Sequence, residues 1–386
     1  MSDFKRSHIK VVMSTKSLIT PLTGIGNYTF NLSKTLKDNP LIEIEAFYGF
    51  SWSKDILPIA TPKTSKLKKI VSRFIPYSYT ARQKTSQIAF NSGLKNTQFD
   101  LYHEPNFLPL EFNGATVITI HDLSFIRFPH VHPAVRIRMM NKAMPRAIEQ
   151  SQCIIADSHF TKREIISEFS VASNKVHVTH LGKSSIYYPR SKADVSNVIE
   201  KYGLRFQQYV ISVGTLEPRK NLIQAIQTYR ALPNKLAKRF PLIIAGMRGW
   251  KEKGLISELN ALINQDKAKM LGYVPDSDLP FLYSGARSLI FPSLYEGFGL
   301  PVLEAMACGT PVIASNTSSI PEVAGNAGIL IDVGDIDAMK ASIEMICEDN
   351  KEFSRLSDLG IIQADKFSWQ KCAVETYSAY QYALAH

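Results

Sequence analysis

The stretch FPSLYEGFGLPVLEAMACGTPV, Phe291 to Val312, holds two glutamates, a glycine pair and a helix start within one short segment. Leu289 to Phe291 closes an apolar run that reads as a buried strand, and Pro292, Gly297 and Gly299 then interrupt regular structure ahead of Pro301. Proline is tolerated in the first turn of a helix, so the spacing predicts a helix from Leu300 to Cys308, ended by Gly309. Such a start turns backbone N–H groups and the positive end of the helix dipole outward, and Gly297 and Gly299 let a phosphate approach the main chain. Glu296 falls on the loop and Glu304 about one turn into the helix, so one carboxylate can meet a sugar while the other reaches a ribose. Spacing alone also fits an ordinary strand, turn and buried helix carrying two surface glutamates.

Outward from this segment the chain alternates strands and helices. Tyr209–Val213 reads as a strand that turns through Gly214–Asn221 into a helix over Leu222–Leu232. Pro241–Gly246, Met270–Val274, Pro311–Ser315 and Gly328–Val333 read as further strands, with helices over Ile336–Ile346 and Trp369–Leu384. The first half has its own series: strands at 8–14, Glu43–Phe50, Phe99–His103, Ala115–Ile120 and Val176–Gly182, with a loop at Gly24-Ile25-Gly26 before a helix over Asn27–Leu36. Residues from Lys183 to about Gln208 read as a linker. A dinucleotide fingerprint at Gly24 and Gly26 is incomplete, because Thr29 stands at its third glycine position.

Open α/β sheets place ligands at the carboxyl ends of their strands. His121-Asp122 and Arg219-Lys220 both fall there. The Arg-Lys pair is placed to neutralise a diphosphate, although such pairs are commonly solvated surface charge.

The chain has 386 residues and a net charge of +11, lacks an apolar run long enough to span a bilayer, and opens on MSDFKRSHIK, which has no apolar signal-peptide core. A cytoplasmic location is expected, with an association at the inner face of the cell membrane. Cys153, Cys308, Cys347 and Cys372 have no metal-ligand spacing and read as reduced, buried thiols. All of the charge excess lies in residues 1–188. Between Asp55 and Asp100 there is no acidic residue, while Lys63, Lys66, Lys68, Lys69, Arg73, Arg82, Lys84 and Lys95 are interleaved with Phe74, Tyr77 and Tyr79. This composition points to an anionic partner surface; without a nucleic-acid-binding signature, an anionic membrane is expected rather than nucleic acid.

The string EGFGLPVLEAMACGTPV resembles the signature of retaining GT-B glycosyltransferases of the group 1, mannosyltransferase-like family, with Glu296 and Glu304 as its paired glutamates. HDLSF from His121 and VGTLEPRKNL from Val213 resemble the same family, and the resemblance runs from Gly24 to the terminal helix. It implies an α/β fold of two Rossmann-like domains facing an interdomain cleft: 1–188 for the acceptor, 189–367 for the nucleotide sugar, and a helix over 368–386 crossing back to the first domain. It also implies transfer of a hexose with retention, without cofactor or bound metal. Glu296, His121, Arg219 and Lys220 take the catalytic roles. Gly24, Gly26, Gly272, Val274, Gly297, Phe298, Gly299, Leu300 and Glu304 take binding roles, Gly272 and Val274 toward the base. Thr215 stands where some members carry arginine, leaving fewer charges for the diphosphate. GDP-mannose is the expected donor and a glycan or lipid-linked chain the expected acceptor, as in surface polysaccharide assembly. An epimerase of the same fold and a non-catalytic nucleotide-sugar-binding subunit remain as alternatives.

Overall fold

The computed structural model describes residues 8–19, 24–58, 78–95, 97–247 and 253–386. Two compact units make up the chain: Met1–Leu123, Arg138–Gly182 and Trp369–His386 form the first, and Ser124–Ile137 with Lys183–Ser368 the second.

The strands of the first unit are β1 (Ile9–Ser14), β2 (Ile42–Phe47), β3 (Trp52–Ser53), β4 (Leu101–Glu104), β5 (Ala115–Ile120), β6 (Cys153–Ala156) and β7 (Val176–Val178). They lie in the order β3-β2-β1-β4-β5-β6-β7. All pair in parallel except β3, which closes a hairpin on β2. β4 and β6 are buried along their whole length, as expected of parallel strands covered on both faces.

The second unit carries β8 (Val210–Val213), β9 (Leu242–Ala245), β10 (Ala268–Gly272), β11 (Ser288–Phe291), β12 (Val312–Ser315) and β13 (Gly328–Ile331). This sheet is wholly parallel, in the order β10-β9-β8-β11-β12-β13. The winding reverses between β8 and β11, and in the first unit between β1 and β4. In such sheets the crevice at the reversal receives the ligand.

Several local expectations are corrected. Gly24 and Gly26 lie inside the first turns of the helix Gly24–Lys37 rather than in a preceding loop; neither needs a positive φ. The stretch 183–208 is not a plain linker, because Ser191 and Asp194 form a capping box that starts a helix over Lys192–Lys201. A further helix, Asn350–Ala364, starts at Asp349, whose side chain accepts from the N–H groups of Lys351 and Glu352. The division of the chain falls after Gly182 rather than after 188. Lys183 donates its N–H to Phe367 O and pairs through Nζ with Asp365 at 2.7 Å, both in the second unit. Residues 124–137 also group with the second unit, where Phe128 packs on Tyr295.

Lys63, Lys66, Lys68, Lys69 and Arg73 of the basic segment lie outside the described residues. All four cysteines are buried and unbridged. Among the described residues no helix is long and apolar enough to cross a membrane.

The helix Trp369–Ala385 belongs to the first unit and buries Trp369, Cys372, Ala373, Thr376, Ala379, Tyr380 and Ala383, a stripe at helical spacing. A buried polar chain fixes its seat. Tyr380 Oη and His103 Nδ1 are 2.8 Å apart, His103 Nε2 and Thr119 Oγ1 2.8 Å, and Tyr28 Oη and Thr119 Oγ1 3.0 Å. Burial pushes His103 down to about 3, so the imidazole is a neutral hub.

Candidate active site

In the second unit, the loops that follow β8 and β11 meet at the sheet reversal. Asn221 adopts a left-handed conformation (φ 51°) after the 3-10 turn Pro218–Lys220, and the N–H of Leu294 donates to Arg219 O at 2.8 Å. Glu296 is therefore brought onto both basic residues although they are far away in sequence. Lys220 Nζ donates to Glu296 Oε1 at 2.6 Å, and Arg219 Nη1 donates to Glu296 Oε2 at 3.1 Å. Arg219 also donates to Tyr295 O at 2.6 Å and to Glu217 Oε1 at 3.0 Å. The Lys220 ammonium sits 5.1 Å from the centre of the Phe291 ring.

Glu296 is only 7% exposed, so it is not the surface glutamate that spacing alone would also have allowed. Burial by itself would raise its carboxyl, but Lys220 and Arg219 outweigh that and hold it at about 2. Buried serines shape the loop around it. Ser293 Oγ donates to Glu296 Oε1, Ser319 Oγ donates to the carbonyls of Glu296 (2.9 Å) and Phe298 (2.8 Å), and the Glu296 N–H donates to Ser318 Oγ at 3.0 Å. Ser319 ties two alternate carbonyls of the glycine segment to one point. The sequence displays Ser293 three residues before Glu296, but no local pattern marks it as a partner.

The helix Leu300–Ala307 starts as expected, with Gly299 as its cap at φ 112° and Pro301 in the first turn. The positive φ calls for glycine, and a Cβ on Gly299 would also push Ile320 Cδ1, 2.7 Å away, aside. Phe298 is buried against Phe367. Leu300 is half-buried at the helix start.

Glu304 stands apart from the ion-pair cluster. Tyr283 donates its hydroxyl to Glu304 Oε2 at 3.3 Å, and Tyr187, packed edge-on to Tyr283, is a second hydroxyl partner. Burial pushes the Glu304 carboxyl up to about 8; the two hydroxyls draw it down and Asp276 adds to the rise. The two glutamates are thus separated in charge state, Glu296 ionised and Glu304 largely protonated at neutral pH. Gly272 (φ 72°) accepts from the Gly246 N–H at 2.8 Å at the end of β10, and Val274 is buried just beyond it.

In the first unit, His121 follows β5. Its Nδ1 is 2.7 Å from Asp157 Oδ2 and its Nε2 2.8 Å from Pro105 O. A carbonyl can only accept, so Nε2 carries a proton; Nδ1 and Asp157 Oδ2 share another, in a pair where burial raises the Asp157 carboxyl as well. Burial opposes a charge on His121, but Asp157 and the Pro105 carbonyl outweigh it and raise His121 above its ordinary value. Tyr28 and Phe107 pack edge-on against the ring, with centroids at 5.0 and 5.9 Å. Phe107 takes a left-handed φ of 64°, a strained choice for an aromatic residue and one that turns its ring onto His121. The part that Asp157, Pro105 and Tyr28 play beside His121 was not read from the sequence; the sign available was that Asp157 directly follows a buried strand, as His121 does.

Two family models match the chain, one described as "Glycosyl transferases group 1" over residues 197–360 and one as "Glycosyltransferase Family 4" over 22–182. The O-antigen chain mannosyltransferase B of Escherichia coli is 37% identical over 383 residues, covering 97% of this chain and 100% of that protein. The serotype-specific mannosyltransferase WbdA of Escherichia coli is 30% identical over 95% of this chain, which spans 47% of WbdA. Among solved structures, sucrose-phosphate synthase from Thermosynechococcus elongatus superimposes with a TM-score of 0.74 at 18% identity, over 97% of this chain and 98% of that one. That similarity is one of fold.

Proposed function

This chain belongs to the group 1 glycosyltransferase family, and from that premise we propose that it transfers a mannosyl residue from GDP-mannose, with retention, to a glycan or lipid-linked acceptor in surface polysaccharide assembly. One observation carries the donor half: Glu296, Arg219 and Lys220 converge at the sheet reversal beside a glycine-capped helix start. In this reading Lys220, Arg219 and the start of the helix Leu300–Ala307 meet the diphosphate charge, Glu296 and the 297–300 backbone hold the sugar hydroxyls, and Glu304 takes the ribose. Gly272 and Val274 flank the base. In the first unit His121, held between Asp157 and the Pro105 carbonyl, and Gly24 and Gly26 take the acceptor side. With these cations in place the reaction needs no bound metal, and the leaving phosphate itself helps to deprotonate the acceptor.

The choice of mannose rests on the name of the Escherichia coli relative that matches from end to end. The test is to incubate the protein with GDP-mannose, UDP-, dTDP- and ADP-sugars, with and without mannose-terminated oligosaccharides. GDP release that depends on both GDP-mannose and acceptor supports the reading; epimerised sugar without acceptor would favour an epimerase instead.

The membrane role stays part of this proposal. Phe50, just before the basic segment, and Leu57 and Ile88, within it, are exposed apolar groups of the kind an interface takes up. Co-sedimentation should rise with anionic lipid and fall with salt; equal pelleting with neutral vesicles would remove the role.

A further inference from the structure

The cluster around Glu296 is charge-balanced within the protein. Arg219 and Lys220 supply two positive charges, and Glu217 and Glu296 supply two negative ones within 3.1 Å of them. The surplus cation that a diphosphate seeks is therefore already committed. The side chain of Glu296 is 9% exposed and that of Lys220 19%, so neither can turn fully into water when its partner is taken. A phosphate that engages the Lys220 ammonium places its charge beside a carboxylate already 2.6 Å from the same nitrogen. A carboxylate that loses such a partner while buried bears a large cost unless other donors replace it.

We infer that Glu296 is a specificity-determining residue that makes the site favour the intact nucleotide sugar over the nucleoside diphosphate left after transfer. The inference rests on the donor-site reading above. A nucleotide sugar brings both halves of an exchange: its diphosphate takes Lys220, and its sugar hydroxyls donate to the carboxylate that Lys220 releases. A nucleoside diphosphate brings only the first half and leaves Glu296 facing a like charge. Loss of the sugar thus weakens the hold on the product, and the carboxylate's return to Lys220 helps to expel it.

The experiment is calorimetric titration of the full chain and its Glu296→Gln variant with GDP and with GDP-mannose, without acceptor. Wild type should bind GDP-mannose more tightly than GDP. The variant should bind GDP about tenfold more tightly than wild type does, the scale of one charge-pair difference, and should not gain for GDP-mannose. Unchanged or weaker GDP binding by a folded Glu296→Gln protein overturns the inference. If the variant does not fold, wild type decides alone, because GDP bound as tightly as GDP-mannose overturns it equally. Wild-type protein that binds neither GDP-mannose nor any UDP-, ADP- or dTDP-sugar would remove the donor-site reading itself, a different result from either of these.

Discussion

Gly246 lies so close to Gly214 that a Cβ on Gly246 would stand 1.8 Å from the Gly214 carbonyl oxygen. This contact presses the end of β9 onto the loop that carries Arg219 and Lys220. The obstacle is backbone, so Gly246→Ala has no soft neighbour to displace. It should lower stability by about 1–3 kcal/mol, the range of core overpacking, and weaken donor binding as well. Gly24→Ala is the control. A Cβ there meets nothing within 4 Å and the residue only opens its helix, so stability should change by no more than about 0.5 kcal/mol. Thermal melts of the two variants check the pair.

Glu296 makes stability depend on acid. Its carboxyl is held at about 2 against an ordinary 4.5, so the folded state binds its proton less readily than the unfolded chain. The stabilisation is therefore complete above about pH 4.5 and disappears as pH falls through 2. Its size is on the order of 3 kcal/mol. Urea unfolding at pH 7 and pH 3 should show Glu296→Gln less stable than wild type, with the gap narrower at pH 3. An equal gap at both would remove the assignment.

Glu304 should make donor binding sensitive to alkali. With its carboxyl near 8, and Tyr283, Tyr187 and Asp276 as the neighbouring titratable groups, it is mostly protonated at pH 6.5–7. Ribose hydroxyls that donate to it favour the carboxylate, so donor binding releases a proton. Affinity for GDP should tighten from pH 6.5 to about 8 and then level, and Glu304→Gln should flatten the profile. Titrations in buffers of different ionisation enthalpy measure the released proton directly.

Turnover should persist in excess EDTA, because Arg219, Lys220 and the helix start supply the positive charge. Loss of activity with EDTA, restored by Mg²⁺ or Mn²⁺, would overturn this.

Much of the site was legible because it is local. The start of the Leu300–Ala307 helix follows from Gly299 and Pro301, and the strand before it from an unbroken apolar run. The Glu296 pairing was not legible. It depends on a crossover that lays the loop after β8 beside the loop after β11, and no periodicity encodes which strands become neighbours. The same holds for His121 and Asp157, brought together by the pairing of β5 with β6. Among the helices that went unseen, Lys192–Lys201 and Asn350–Ala364 were missed for a different reason. Ser191 with Asp194, and Asp349 with the N–H groups of Lys351 and Glu352, do carry capping chemistry, but the apolar stripes that follow are weak and their end signals were outweighed by polar composition.

The seat of the helix Trp369–Ala385 on the first sheet bears on how the chain is made. Tyr380 completes a polar chain through His103 to Thr119 and Tyr28, residues synthesised far earlier. Until residue 380 leaves the ribosome, His103 Nδ1 lacks this partner and the faces that Trp369, Cys372 and Ala379 cover stay open. Of the second unit, all but residues 124–137 run without interruption from Lys183 to Ser368, so that unit is complete first. A nascent chain therefore passes through an interval in which the second unit has all of its residues while the first still lacks its last helix, and a stop codon before 369 would leave it there.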